Sequence, residues 1–343
     1  MKDKCLSISL DLIARKAGCS KTAVSLALRN RGRISGSVRR HIFSVANGLG
    51  YVPSGPGRKP RRSQGKVRRG PRVATLLLYG QSEQRIERSE NFGARLAGLR
   101  AEFQSLDVPL RLAFADTPHA FRAHVDSAEG GLLLMGGFRK VPKEQVEAIE
   151  FYSRTQPVVL VGNYFEGRDQ RLTSVRGDFE ASGGLMAELC LRAERSSIAA
   201  VIGNFESQDQ DRLRGLERVL AAAGGRLGAL TFEGAAPLEG LWERVVSSMG
   251  GAPQAVVAGR NVSRAIWKSL LAWELRVPQD VALLCFAGKA WYETAEPVLA
   301  SVRFDDERIG RVAARTWMEM HTQDGLAPRK VLLPPRFSPG ESF

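Results

Sequence analysis

The side chains best placed to do chemistry lie near the N-terminus, and they are hydrogen-bond donors rather than nucleophiles. In residues 20–30, SKTAVSLALRN, helical spacing puts Val24, Ala27 and Leu28 on one face and exposes Lys21, Thr22, Ser25, Leu26 and Arg29. Lysine and arginine donate to guanine or to phosphate, and threonine or leucine reaches a thymine methyl, so such a face suits the major groove of DNA. The alternative is a small helical unit that mediates only protein contacts. Covalent and metal chemistry find little support in the rest of the chain. The four cysteines, at 5, 19, 190 and 285, form no CxxC, and the four histidines form no HExxH. There is no GxGxxG after a strand, no Walker loop and no GxSxG, so no enzyme class, metal site or cofactor is expected.

Charge supports the same segment. The chain has 343 residues and a formal net charge of +14. Residues 1–72 hold 18 Lys/Arg against Asp3 and Asp11, a net of +16, whereas the remainder holds 32 basic and 34 acidic residues, a net of −2. Such asymmetry points to a polyanionic partner for the first fifth of the chain. A basic solubilising tail would carry the same charge. No apolar run approaches the ~18–20 residues of a membrane span. Asp11 and the Arg15–Lys16 pair break any leader-like stretch, so a cytoplasmic, nucleoid-associated protein is expected.

The elements that must position these residues are legible in outline. Residues 9–50 form three short helices. Ser9 is an N-cap candidate for Leu10, Ile13, Ala14 and Ala17, and Gly18 stops that run. Ser20 caps the second helix. Ser35 caps the third, which turns Val38, Ile42, Val45 and Leu49 to its apolar side. A small Ala14 at the crossing, Gly18 at the turn and Val24 packing beneath have helix-turn-helix spacing. Residues 54–72, SGPGRKPRRSQGKVRRGPR, have no apolar period and are a linker. Apolar runs then recur at Val73–Leu78, Leu110–Phe114, Gly131–Met135, Val158–Val161, Ile198–Ile202, Ala255–Ala258 and Val281–Phe286. Amphipathic stretches such as Phe92–Phe103 and Leu213–Ala223 separate them. This alternation predicts an α/β core of parallel sheets, and its length favours two doubly wound lobes with a cleft at the carboxyl ends of the strands.

Residues 8–53 resemble the headpiece of the lactose-repressor (LacI/GalR) family. The matches are Ala14, Ala17–Gly18, Ser20, Val24–Ser25, Leu28, Asn30, Ile34–Ser35, Arg39, Ala46, Leu49–Gly50–Tyr51 and Pro53. The resemblance implies that Lys21, Thr22 and Leu26 read bases, and that Ser9, Ser20, Ser25, Asn30 and Arg39 contact or position phosphates. Further blocks are similar to the family in the right order: NFGARLAGLRAEF, VRGDFEASGGLMAELCLRAERSSIAAVIG, QDRLRGL, LRVPQDVALLCFAG, PVLASVRFDDERIGRVAA and VLLPPRFSPGES. They imply a periplasmic-binding-protein-like core, an effector cleft and a homodimer. The expected division is a headpiece over 1–53, a linker over 54–72 and an effector-binding, dimerising core over 73–343. Lobe 1 takes about 73–177 and 303–325, and lobe 2 about 178–302 and 326–343.

Two departures from the family pattern matter. Pro60 stands where a hinge helix would carry its leucine, with Gly55, Pro56 and Gly57 before it, so the usual hinge helix is not expected. Its replacement, GRKPRR at 57–62, resembles an AT-hook core. Arg58, Lys59, Arg61 and Arg62 either follow an A·T minor groove or make non-specific phosphate contacts. In the cleft, Asp178 and Arg212 match family effector-binding positions, but an Asn-Asp pair is replaced by Gly259–Arg260 and a later Asp-Asp by Ala287–Gly288. Trp291 follows and could stack on a ring. A guanidinium only donates, so Arg260 argues against an ordinary neutral-sugar pocket and for a sugar acid or other anion. Each of these residues also has a structural alternative, with Asp178 as a helix cap, Arg212 in an ion pair and Trp291 in the core. The resulting expectation is a DNA-binding regulator, by family habit a repressor, that binds a pseudo-palindromic operator in double-stranded DNA as a dimer. A sugar-like or anionic small molecule modulates it. The alternative is an effector-independent or architectural DNA binder with a degenerate pocket.

Overall fold

A computed structural model describes residues 10–28, 34–48, 73–79, 89–115, 117–128, 130–136, 141–165, 171–203, 207–232, 239–259, 262–286, 298–322 and 327–343. The chain divides into two compact units, Met1–Val67 and Arg68–Phe343.

The first unit holds α1 (Leu10–Ala17), α2 (Lys21–Leu28) and α3 (Gly36–Gly48). Gly18 ends α1 at φ +61°, a left-handed conformation that costs glycine little, and the Cys19 amide bonds back to the Ala14 carbonyl at 3.0 Å. Ser20 and Ser35 cap the next two helices, their hydroxyl oxygens accepting from the amides of Ala23 (3.1 Å) and Val38 (3.4 Å). Ile13, Ala14, Ala17, Val24, Ala27, Ile42 and Ala46 form the buried core. Val38 is the exception to the expected apolar face. It lies in the first turn of α3, beside the cap, and is exposed. Leu49 lies outside the described residues.

The second unit contains two six-stranded sheets. The first is built from β1 (Ala74–Tyr79), β2 (Leu110–Ala115), β3 (Leu132–Gly136), β4 (Val158–Val161), β5 (Thr173–Gly177) and β11 (Lys330–Leu333), in the order β11-β5-β4-β3-β1-β2, all parallel. The second is built from β6 (Ser197–Gly203), β7 (Arg226–Phe232), β8 (Ala255–Ala258), β9 (Ala282–Phe286), β10 (Ala300–Arg303) and β12 (Arg336–Ser338), in the order β12-β10-β9-β8-β6-β7. Only β12 runs antiparallel to its neighbour. The central strands β1, β3, β4, β5, β8 and β9 are buried along their whole length, as helices on both faces require, whereas the edge strands β2 and β7 alternate.

In the first lobe, α4 (Glu90–Ser105), α5 (Pro118–Ser127), α6 (Lys143–Ser153) and α11 (Asp306–Thr322) cover the sheet; in the second, α7 (Phe179–Arg192), α8 (Ser207–Ala222), α9 (Leu241–Met249) and α10 (Ser263–Ala272) do so. The chain passes between the sheets three times: from β5 to α7, from β10 to α11, and from β11 to β12. The last passage corrects the expected division of the lobes. Residues 326–343 do not lie wholly in lobe 2, because Lys330–Leu333 pairs with β5 of the first sheet and Leu333 is buried with Ala313 and Trp317 of that lobe. Each lobe has one close helix crossing set by glycine. A Cβ on Gly98 or Gly310 would strike the backbone of the partner in the α4–α11 pair, and one on Gly183 or Gly215 would do so in the α7–α8 pair.

Candidate functional site

The DNA-facing candidates occupy the start of α2. Lys21 and Thr22 are exposed, and Ser25 and Leu26 on the next turn are half-buried. The small contact residues Ala14 and Ala17 let α1 cross close to α2, and Val24 and Ala27 sink into the core, so α2 has only one face left to offer a partner. Ser20 is exposed, with its hydroxyl oxygen engaged as the α2 cap, and Arg39 is half-buried on α3. Ser9, Arg29, Asn30, Arg58, Lys59, Arg61 and Arg62 lie outside the described residues.

The second candidate is the cleft between the lobes, where strand ends and helix N-termini converge. From the first lobe comes the segment after β4. Tyr164 is 7% exposed, and its amide donates to the Asn163 Oδ1 at 2.9 Å. The guanidinium of Arg176, at the end of β5, lies 3.6 Å from the centroid of the Tyr164 ring, close enough for a cation–π contact. Arg176 is 5% exposed and donates to Ser174 Oγ at 3.5 Å.

From the second lobe comes the first half of α8. Arg212 pairs with Asp209 at 2.9 Å, and its guanidinium sits 5.2 Å from the ring centroid of Phe179 and 4.5 Å from that of Phe286. Asp211 accepts from the Tyr164 hydroxyl at 2.6 Å and from Arg214. Asp178 caps α7, its Oδ1 accepting from the Ala181 amide at 2.9 Å. Burying a charge costs several kcal/mol unless it is paired, and here four charged side chains, Arg176, Asp209, Asp211 and Arg212, cluster at one seam.

Of the expected cleft residues, the structure brings Asp178 and Arg212 to this seam, both already engaged with protein partners; Arg260 and Trp291 lie outside the described residues. Sequence reasoning missed Tyr164, Arg176 and Asp211. The one available signal was an arginine inside TSVRG, a strand buried along its length. Among the described residues, no group of three His, Cys, Asp or Glu is placed to hold a metal ion, and no helix is long and apolar enough to cross a membrane.

A helix-turn-helix unit with a donor-bearing recognition face, ahead of two parallel-sheet lobes that enclose a charged seam, defines a DNA-binding regulator with a periplasmic-binding-protein-like core. The comparisons agree. Residues 9–54 match the bacterial regulatory proteins of the lacI family, and residues 187–343 match the periplasmic binding protein-like domain. The chain is 22% identical over 334 residues to the HTH-type transcriptional regulator DegA of Bacillus subtilis (strain 168), covering 94% of each chain. It is 24% identical over 346 residues to the HTH-type transcriptional regulator CelR of Thermobifida fusca, covering 95% of each. Among solved structures it shares its fold with a CelR–cellobiose complex (TM-score 0.68, 20% identity, 98% of this chain and 100% of that one). It also shares it with the lac repressor dimer bound to operator and an anti-inducer (TM-score 0.63, 15% identity, 98% of each). The chain belongs to the LacI family of DNA-binding transcriptional regulators.

Proposed function

We propose that the protein represses transcription as a dimer bound to a pseudo-palindromic operator, working in the cytoplasm, with a small molecule in the interlobe cleft modulating its affinity. In this reading 1–53 is the headpiece, 54–72 a basic linker and 73–343 the effector-binding and dimerising core. Lys21, Thr22 and Leu26 face base edges. Ser9, Ser20, Ser25, Asn30 and Arg39 hold the phosphate backbone, Arg29 addresses guanine or phosphate, and Arg58, Lys59, Arg61 and Arg62 add contacts from the linker. The single observation that carries the reading is the exposure of Lys21 and Thr22 at the start of a helix whose opposite face is locked into the headpiece core.

The effector class is a sugar or sugar acid. A CelR relative is described in complex with cellobiose. In the cleft, Arg212 between two aromatic rings offers donors and Asp178 an acceptor, with Arg260 and Trp291 as further candidates. A second reading, an effector-independent DNA binder, is favoured by one observation: Asp178, Asp209, Asp211 and Arg212 all hold partners within the protein.

Selection of binders from a random duplex library, followed by anisotropy titration against salt, tests the proposal. A palindromic site bound ~10³-fold or more above non-specific DNA is the expected result. No enrichment, with affinity still falling steeply with salt, would leave only counterion-release binding and refute operator reading. A ligand-induced melting shift in a screen of sugars and sugar acids separates the first reading from the second.

A further inference from the structure

We propose that the hydrogen bond from the Tyr164 hydroxyl to Asp211 is a latch between the lobes, holding the core closed with the protein's own residues. Tyr164 follows β4 of the first lobe, and Asp211 lies on α8 of the second. Neither belongs to the three segments that cross between the sheets, so their bond joins the lobes independently of the hinge.

Both partners are rigid within their own lobes. The Tyr164 ring is buried in the first lobe's core beneath the Arg176 guanidinium, and the Asn163 side chain holds its backbone amide. Asp211 is 8% exposed and braced by Arg214. Its helix is locked onto α7 where Gly183 and Gly215 leave no room for a Cβ. Lobe separation therefore cannot be absorbed by a side-chain swing on either side: opening breaks the bond. A hydrogen bond to a charged acceptor contributes about 10-fold or more to the equilibrium between states that keep and lose it.

The latch sets the free energy against which any cleft ligand must act, because a ligand shifts the lobes only by its differential affinity for the two states. A ligand hydroxyl that replaced the phenol on Asp211 would exchange the latch rather than add to it. The proposal concerns lobe geometry and stands apart from operator recognition, so either can fail alone.

Interlobe distance in the full-length chain tests it. Donor and acceptor dyes are attached through Glu147→Cys on α6 and Lys268→Cys on α10, both exposed, with Cys5→Ser and Cys19→Ser to prevent labelling elsewhere. Labelled protein is diluted into excess unlabelled protein, so that only distances within one chain are read. Tyr164→Phe keeps the ring and the Arg176 contact and removes only the hydroxyl. It is expected to raise the open-to-closed ratio about 10-fold or more in the absence of ligand. Asp211→Asn should act in the same direction but less strongly, and the double variant should add little to Tyr164→Phe. If Tyr164→Phe unfolds cooperatively yet has the wild-type distance distribution, the bond is a local structural contact and the latch is overturned. Strictly additive effects of the two substitutions would overturn it equally.

Discussion

Substituting Gly183 with alanine should loosen the helix pair that carries the cleft face of the second lobe. In an exposed helix, glycine to alanine is worth about 0.5–1 kcal/mol in favour of alanine. At Gly183 the new methyl would meet the backbone of Arg212, with the Arg212 carbonyl carbon 2.8 Å from an ideal Cβ. Backbone cannot swing aside as a flexible side chain can, so α7 and α8 must separate. Overpacking of this kind costs about 1–3 kcal/mol. The net loss is therefore up to about 2.5 kcal/mol, or a fall in Tm of up to about 10 °C for a core of this size. Gly93, on α4, is the control. It is exposed, and nothing lies within 4 Å of a Cβ there. Gly93→Ala should raise stability by about 0.5–1 kcal/mol. Thermal melts of the two variants beside the parent decide the matter. Should Gly183→Ala melt at or above the parent temperature, the close crossing of α7 and α8 is wrong, and with it the rigid mounting of Asp211 and Arg212.

Three further outcomes are expected. Lys21→Ala should weaken operator binding by about 1–3 kcal/mol and relax one base position if Lys21 reads guanine, whereas a uniform loss across sequences with a salt slope reduced by about 1 would assign it to phosphate. Trp317, fully buried and stacked edge-on against Phe103 at 5.4 Å, has an indole nitrogen with no hydrogen-bond partner among the described residues. Trp317→Phe should therefore change stability by less than about 1.5 kcal/mol while Trp317→Ala costs about 3–5 kcal/mol, as denaturant midpoints will reveal. The Cys190 thiol is pushed up by burial from the ordinary value near 9 to about 12, against a weaker opposing pull from Arg195. The unfolded chain ionises first, so the stability associated with this thiol is fully present below pH 9 and is lost as pH rises toward 12. Native protein at pH 8 should accordingly leave Cys190 unalkylated until denaturant is added; labelling in the native state would contradict its burial.

The strands that were legible share a physical character, and so do those that were not. Val158–Val161 and Ala255–Ala258 are apolar runs buried on both faces, and the sequence pattern marked their ends residue for residue. β5 escaped because Thr173, Ser174 and Arg176 interrupt its apolar character, although every residue in it is buried. Thr173 accepts from the Arg329 amide and Arg176 lies over the Tyr164 ring, partners that no local window contains, while Arg176 also donates to Ser174 within the strand. β7 escaped because, at the sheet edge, it alternates around Gly228. β10, β11 and β12 are short, and their sheet membership depends on which way the chain turns after each crossing.

The same division runs through the candidate sites. The recognition face of α2 is a local property: caps at Ser20 and Ser35, a glycine turn and 3.6-residue periodicity all act within a few residues, so Lys21 and Thr22 could be singled out from the chain alone. The concentration of charge in the first 72 residues is likewise a fact of sequence. The cleft is not local. Tyr164 and Asp211 are 47 positions apart and meet only because two sheets fold separately and face each other. That the Arg212 guanidinium lies against the rings of Phe179 and Phe286 was decided by packing, whereas the Asp178 cap and the Arg212–Asp209 pair are contacts within one turn of helix. Local periodicity determined which residues the second helix of the headpiece leaves exposed and which it buries. Tertiary structure alone decided that the Tyr164 hydroxyl of one lobe reaches Asp211 of the other, because the two sit on separate sheets that only the finished fold brings within hydrogen-bond distance.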